Sequence, residues 1–138
     1  MKKILLILTL ALLAGFTLKA QDDGNDKIRD KMREFIQKRL SLSRNEAVRF
    51  TPVFIRYFRE WKQTLQENRG DGLVRQQRII ELRLRYRTEF RDIVGEKRSN
   101  DVYKQQDIFV REIKEMREEQ IKSRRGDRPD RSFRTLIQ

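Results

Sequence analysis

The chain has 138 residues, a formal charge of +12 at neutral pH and 39% charged side chains, which is the size of one domain with a surface-rich composition. It contains neither histidine nor cysteine, which excludes disulfides, a lipid-bearing cysteine, imidazole or thiolate metal sites, and any nucleophile served by an imidazole base. Helix packing alone must hold the fold, and no metal or cofactor is expected.

The first residues, MKKILLILTLALLAGFTLKAQ, combine two lysines, an apolar run and the small Ala20 ahead of Gln21, the pattern of a secretory signal peptide. The apolar stretch from Ile4 to Leu18 is shorter than the roughly 20 residues that span a bilayer, and Lys19 closes it. Cleavage after Ala20 and a periplasmic product are therefore expected. Losing residues 1–20 removes Lys2, Lys3 and Lys19 and leaves a formal charge of +9. Inside a cell such a charge points first to nucleic acid, because lysine and arginine release condensed counterions from phosphates. Export weighs against that partner and leaves lipid headgroups, lipopolysaccharide and acidic segments of unfolded proteins.

Residues 21–122 read as a single helical domain. QDDGND is a polar spacer, and Asp26 is expected to cap a first helix of about four turns with Ile28, Met32, Phe35, Ile36 and Leu40 on its inward face. Leu42 precedes a capping box, in which the Ser43 hydroxyl and the Glu46 carboxylate each satisfy an otherwise unpaired backbone N–H at a helix start; Leu42 can staple against Ala47 or Val48. The second helix then runs to about Asn68 with Phe50, Phe54, Tyr57, Phe58, Trp61 and Leu65 at helical spacing. Ala47, Val48, Thr51 and Ile55 widen its apolar face, so more than one partner helix is needed. Pro52 lies inside this pattern and is expected to kink the helix without ending it.

Arg69-Gly70-Asp71-Gly72 breaks the chain, and the shortness of the connection makes helices two and three antiparallel neighbours. The Arg-Gly-Asp string invites an integrin reading, but its turn position accounts for it. Helix three spans about Leu73 to Val94 with Ile79, Leu82, Tyr86, Phe90 and Ile93 inward, Ile80 and Leu84 flanking, and Gly95 as the terminating residue. Arg83, Arg87 and Arg91 fall four apart as a charged face, and Glu81 is spaced to pair with Arg85. Ser99 or Asn100 is expected to cap a fourth helix, which carries Val102, Tyr103, Phe109, Val110, Ile113 and Met116 inward to about Lys122, with Gln105 and Gln106 as a polar notch. Residues 123–138, SRRGDRPDRSFRTLIQ, read as a basic, disordered tail whose Phe133, Leu136 and Ile137 could dock on an apolar surface.

No catalytic constellation is visible. Ser41, Ser43 and Ser99 are explained by turns and caps, no glycine-rich phosphate loop follows a strand, and the acids Glu112, Glu115, Glu118 and Glu119 are interleaved with Arg111, Lys114, Arg117 and Lys122. The expected fold is all-α, with four amphipathic helices in a curved hairpin or bundle, at least about 60% helix and no sheet. A non-enzyme is expected.

The segment LSLSRNEAVRFTPVFIRYFREW resembles the helical periplasmic proteins of the Spy/CpxP group, and more closely their exported Bacteroidetes relatives labelled as sensors of extracytoplasmic-function sigma factors. The shared positions are Leu42, Ser43, Glu46, Phe50, Pro52 and Tyr57; Ser43 and Glu46 stand where the group has Thr and Gln, and both keep the capping chemistry. A second copy of the motif is expected near the start of helix four, where GEKRSNDVYKQQ keeps a cap only. The resemblance implies a helical hairpin domain that often forms homodimers, with ATP-independent chaperones and inhibitors of envelope-stress sensors among its members. The lack of histidine argues against its metal-responsive branch.

Three readings follow: a protein that holds unfolded or misassembled envelope clients, a regulatory partner of a membrane-bound stress sensor or anti-sigma factor, and a polyanion binder acting through Arg83, Arg87, Arg91 and the arginine tail. The four helices carry more aromatic side chains than a thin domain is expected to shelter, and the candidate binding surface is Phe54 and Trp61 with the cations Arg49, Arg56, Arg59, Lys62, Arg83, Arg87 and Arg91.

Overall fold

A computed structural model describes residues 24–126, which form four helices: α1 (24–39), α2 (Arg44–Glu67), α3 (Gly72–Val94) and α4 (Glu96–Gly126). Of these residues 91% are helical, with no strand among them, and the fold is an all-α bundle. None of the described helices is long and apolar enough to cross a membrane. The expected signal peptide and most of the basic tail lie outside the described residues.

Local signals place four of the helix boundaries. Ser43 Oγ accepts from the Glu46 N–H at 3.2 Å and Glu46 Oε2 accepts from the Ser43 N–H at 2.9 Å, so the capping box forms at the start of α2. Asp71, read from sequence only as a turn residue, caps α3: its Oδ1 accepts from the Leu73 and Val74 N–H groups, at 3.0 and 3.1 Å. Gly95 closes α3 at φ 87°, a backbone angle that suits glycine, and its N–H donates to the Arg91 carbonyl at 2.9 Å. The α1–α2 turn is a Schellman arrangement: Leu42 N–H donates to Gln37 O at 3.0 Å and Ser41 N–H to Lys38 O at 3.1 Å. Ser41 there adopts φ 50°, the position usually held by glycine.

Pro52 lies within an uninterrupted α2. The wide face of α2 meets several neighbours. Phe50 packs on Phe90 of α3 (5.2 Å between ring centres), and Tyr57 meets Tyr86 and Phe90 of α3 and Tyr103 of α4 at 5.4–5.9 Å. Because Phe50 meets Phe90 while Tyr57 meets Tyr86, α2 and α3 are antiparallel. On its other side Gln37 of α1 donates to Thr51 of α2 at 3.2 Å, and Phe35 of α1 sits edge-on to Phe109 of α4. Met32, Ile36, Phe50, Phe54, Tyr57, Leu82, Phe90 and Val102 are all at most 1% exposed and form one continuous core.

Several expectations are corrected. Asp26 lies inside α1, which is already helical at residue 24, and it pairs with Arg29 at 2.7 Å instead of capping. Neither Ser99 nor Asn100 caps α4, because the single residue Gly95 reverses the chain and α4 starts at Glu96. Ser99 is then fully buried, its Oγ donating to Glu96 O at 2.7 Å. The helix also runs to Gly126, four residues past the expected end, so the boundary drawn at residue 123 falls inside it. Val48, Val110 and Met116 are exposed, at 68%, 40% and 51%; Leu42 is half-buried against the core, so Ala47 and not Val48 is available to the staple. Arg85 reaches across to Glu60 on α2 at 3.0 Å, while Glu81 pairs with Arg78.

Candidate functional site

The predicted binding residues divide into three groups once they are placed on the bundle. Phe54 is 0% exposed, stacked on Phe50 and against Tyr57, and belongs to the core; it offers no surface to a partner. Its position in the stripe could not reveal this, because an aromatic at helical spacing is read the same way whether or not a third helix covers it. Trp61 is half-buried beside Phe58, with ring centres 5.6 Å apart.

A second group of cations is engaged in holding helices together. Arg56 pairs with Glu89 of α3, and Arg49 donates to the Asp92 carbonyl at 3.3 Å. Arg87 and Arg91 both reach Glu96 at the start of α4, at 2.6 and 3.7 Å, and the Arg87 guanidinium beside Glu96 holds its carboxyl below the usual carboxylate range. Arg83 pairs with Asp107, lies over the Tyr103 ring at 5.3 Å, and donates from Nη2 to Gln106 Oε1 at 3.2 Å. The arginine row of α3 is therefore a lacing between α3 and α4 and not an open cationic face.

That lacing encloses a buried polar network. The Tyr57 hydroxyl donates to Gln106 Oε1 at 2.6 Å, and the Tyr103 hydroxyl donates to the Arg83 carbonyl at 2.7 Å. Gln106 is 0% exposed and its Nε2 has no protein partner. Burial pushes the Tyr57 hydroxyl up to about 12 and raises Tyr103 as well. At the other end of the same face Glu46 serves twice, capping α2 and pairing with Arg98 of α4; the Arg98 hydrogen bond, followed by that of the Ser43 N–H, lowers its pKa. These groups tie α2, α3 and α4 together, and no group of three or more acidic side chains among the described residues is arranged to hold a metal ion.

The third group is Arg59 and Lys62, which form no ion pair among the described residues. Both line a groove of about 480 Å³ between the start of α1 and the second half of α2, together with Ile55, Phe58, Gln63 and Gln66 from α2 and Asn25, Asp26 and Arg29 from α1. The volume falls within the range of small-ligand and peptide-anchor sites. Arg29 is already held by Asp26 and Asp30, at 2.7 and 3.2 Å, so the uncompensated charge belongs to Arg59 and Lys62. Their side of α2 faces α1, whereas Arg49 and Arg56 lean toward α3, and the expected single basic surface is split between two sides of the helix. The sequence did carry one sign of this: Ile55 widens the apolar face away from the main stripe. The α1 residues and the amides Gln63 and Gln66 carried none.

Fold and geometry together define an all-helical bundle with a mostly polar groove in which Arg59 and Lys62 stand beside Ile55 and the edge of Phe58. No family model, curated protein or solved structure matches this chain. The likeness to the Spy/CpxP group accordingly rests on Leu42, Ser43, Glu46, Phe50, Pro52 and Tyr57, of which the first three form the capping turn described above.

Proposed function

We propose that this is an exported, non-enzymatic helical protein that holds unfolded or misassembled envelope proteins without ATP, using the α1–α2 groove as its contact surface. The observation that carries the reading is the juxtaposition of Arg59 and Lys62, unpaired among the described residues, with Ile55 and Phe58 in one groove. An acidic segment is attracted by the two cations, and a neighbouring apolar side chain finds contact area on the half-buried Ile55. The amides of Gln63 and Gln66 can pair with a client's backbone without demanding a particular sequence. The signal-peptide pattern at residues 1–20 supports export, and intact mass of protein from the envelope fraction, starting at Gln21, tests it.

The groove is tested by Arg59→Ser combined with Lys62→Ser. Neither side chain has an ion pair to lose, so helicity and melting are expected to stay unchanged, while suppression of aggregation of an unfolded acidic client at low ionic strength weakens and loses its salt sensitivity. The companion Arg56→Ser leaves Glu89 unpaired on the surface and is expected to leave suppression intact. If the groove double variant suppresses aggregation as well as the parent, the client-holding reading fails. Recovery of one stoichiometric membrane protein from envelope extract would replace it with the regulatory reading.

A further inference from the structure

Three of the four most exposed large apolar side chains among the described residues stand on one helix: Leu73, Ile80 and Leu84 of α3, at 79%, 57% and 58%. Together with Gln77 they are spaced four, three and four, which makes a single helical row about 16 Å long. The core face of α3 is already supplied by Leu82, Tyr86 and Phe90, so packing of the bundle does not account for this second apolar row.

The adjoining row of α4 is cationic. Arg83 pairs with Asp107 and so marks where the two helices meet; from Asp107, helical steps of three and four lead to Lys104 in one direction and to Arg111 and Lys114 in the other. The joint at Gly95 makes α3 and α4 antiparallel, so Ile80, three residues before Arg83, and Arg111, four residues after Asp107, lie at about the same height. The one acid between Lys104 and Arg111 is Asp107 itself, already held by Arg83. Lys104 and Arg111 are exposed and form no ion pair among the described residues, and Lys114 meets Glu118 at 4.0 Å, both side chains open to solvent. Beside the α3 row, Glu81 is held by Arg78.

We propose that this face of α3 and α4 docks on an anionic lipid surface, with Leu73, Ile80 and Leu84 entering the boundary between headgroups and acyl chains and Lys104, Arg111 and Lys114 meeting lipid phosphates. The occupant is argued from chemistry and charge. A bilayer interface presents phosphate and hydrocarbon together, the pair of properties that an aliphatic row beside a cationic row complements. Nucleic acid offers the phosphates without the hydrocarbon, and a second copy of this face brings no free acid to meet the cations. The proposal does not rest on the α1–α2 groove, to which neither helix contributes.

The test is co-sedimentation of the exported full chain with vesicles of phosphatidylglycerol and phosphatidylcholine (about three parts to seven) and with vesicles of phosphatidylcholine alone. Binding is expected to be at least about tenfold tighter to the anionic vesicles and to weaken as salt is raised. Lys104→Gln with Arg111→Gln, and separately Ile80→Gln with Leu84→Gln, are each expected to weaken binding about tenfold while circular dichroism keeps its helical signal, since all four side chains are exposed and glutamine suits a helix. Lys31→Gln with Lys38→Gln removes the same charge from exposed sites on α1 and is expected to leave binding within about twofold. Equal loss in the α1 variant would show attraction by net charge alone and overturns the proposal. Undiminished binding of the Ile80, Leu84 variant overturns it as well, as does a parent that ignores anionic vesicles. A dimer of the parent that this variant dissolves, without any vesicle binding, would give the face to a second copy instead.

Discussion

Tyr57 and Gln106 form the buried contact whose energetics can be worked out most fully. Tyr57→Phe removes one hydroxyl that donates over 2.6 Å to an acceptor sealed in the core, and Gln106 Oε1 keeps its second donor, Arg83. The expected cost is that of one buried hydrogen bond, about 1 kcal/mol. Gln106→Leu has a different effect. It leaves the Tyr57 hydroxyl buried without an acceptor, at about 1–3 kcal/mol, but it also removes an amide nitrogen that already lacks a partner. Arg83 keeps Asp107 in either case. The double variant Tyr57→Phe, Gln106→Leu therefore leaves neither residue's polar group stranded and should lie within about 0.5 kcal/mol of Tyr57→Phe alone, a coupling of about 1–2 kcal/mol between the two sites. Urea unfolding followed by circular dichroism, with the single tryptophan, Trp61, as a second probe, measures the three variants against the parent. For a domain of this size each kcal/mol is about 4–8 °C in melting temperature. Additive single effects, with a coupling below about 0.3 kcal/mol, would show that the hydroxyl and the amide do not meet in the folded protein.

Three further outcomes are expected. All three tyrosines are raised, Tyr57 and Tyr86 to about 12 by burial, Tyr86 also by its hydrogen bond to Glu60, and Tyr103 in the same direction. A tyrosine whose folded pKa lies above its unfolded value of about 10 contributes stability that is complete below that value and is lost as pH rises through the folded one. Tyrosinate absorbance should therefore stay low past pH 10 and rise together with loss of helicity; a separate tyrosinate step in the folded protein would contradict the burial. Ser43→Ala removes the acceptor for the Glu46 N–H and should cost about 0.5–2 kcal/mol in thermal or urea unfolding, with no change at all counting against the capping box. Ser41→Gly should stabilise by about 0.5–1 kcal/mol, since a left-handed φ is strained for serine and not for glycine, and the same denaturation curves would expose a loss instead.

What could be read from sequence was what is local. The capping box needs only residues 43 to 46, and Gly95 announces a helix end by itself. The aromatic stripe of α2 was visible because period 3.6 is a property of one segment. Gln106 marks where this kind of reading stops. Within α4 it is a polar interruption of an apolar stripe; only when Tyr57, forty-nine positions earlier, is brought opposite does it become a buried acceptor. Arg56 and Arg59 stand three apart on one helix and look equivalent, yet Glu89 neutralises the first and no described residue neutralises the second. Charge at a position can be counted from sequence, whereas compensation of that charge depends on which helix lies alongside. The start of α4 shows a third kind of difficulty: Glu96-Lys97-Arg98 has the composition of a loop, and it is helical because one glycine completes the reversal.

The economy of that joint bears on how the chain reaches its native state. Successive helices are linked by four residues (40–43), four residues (68–71) and then one. Nearly every helix can find its first partner in the segment next to it, so little loop entropy is lost before contacts begin to compensate. Topologies of this kind fold on the microsecond to millisecond scale, well ahead of sheet proteins of equal stability. A molecule with no covalent cross-link that is opened by heat, acid or force would then re-form its bundle faster than exposed Phe50, Phe54 and Phe90 could find another chain. Rapid closure, and not only depth of the native well, would guard this polypeptide against proteolysis and aggregation.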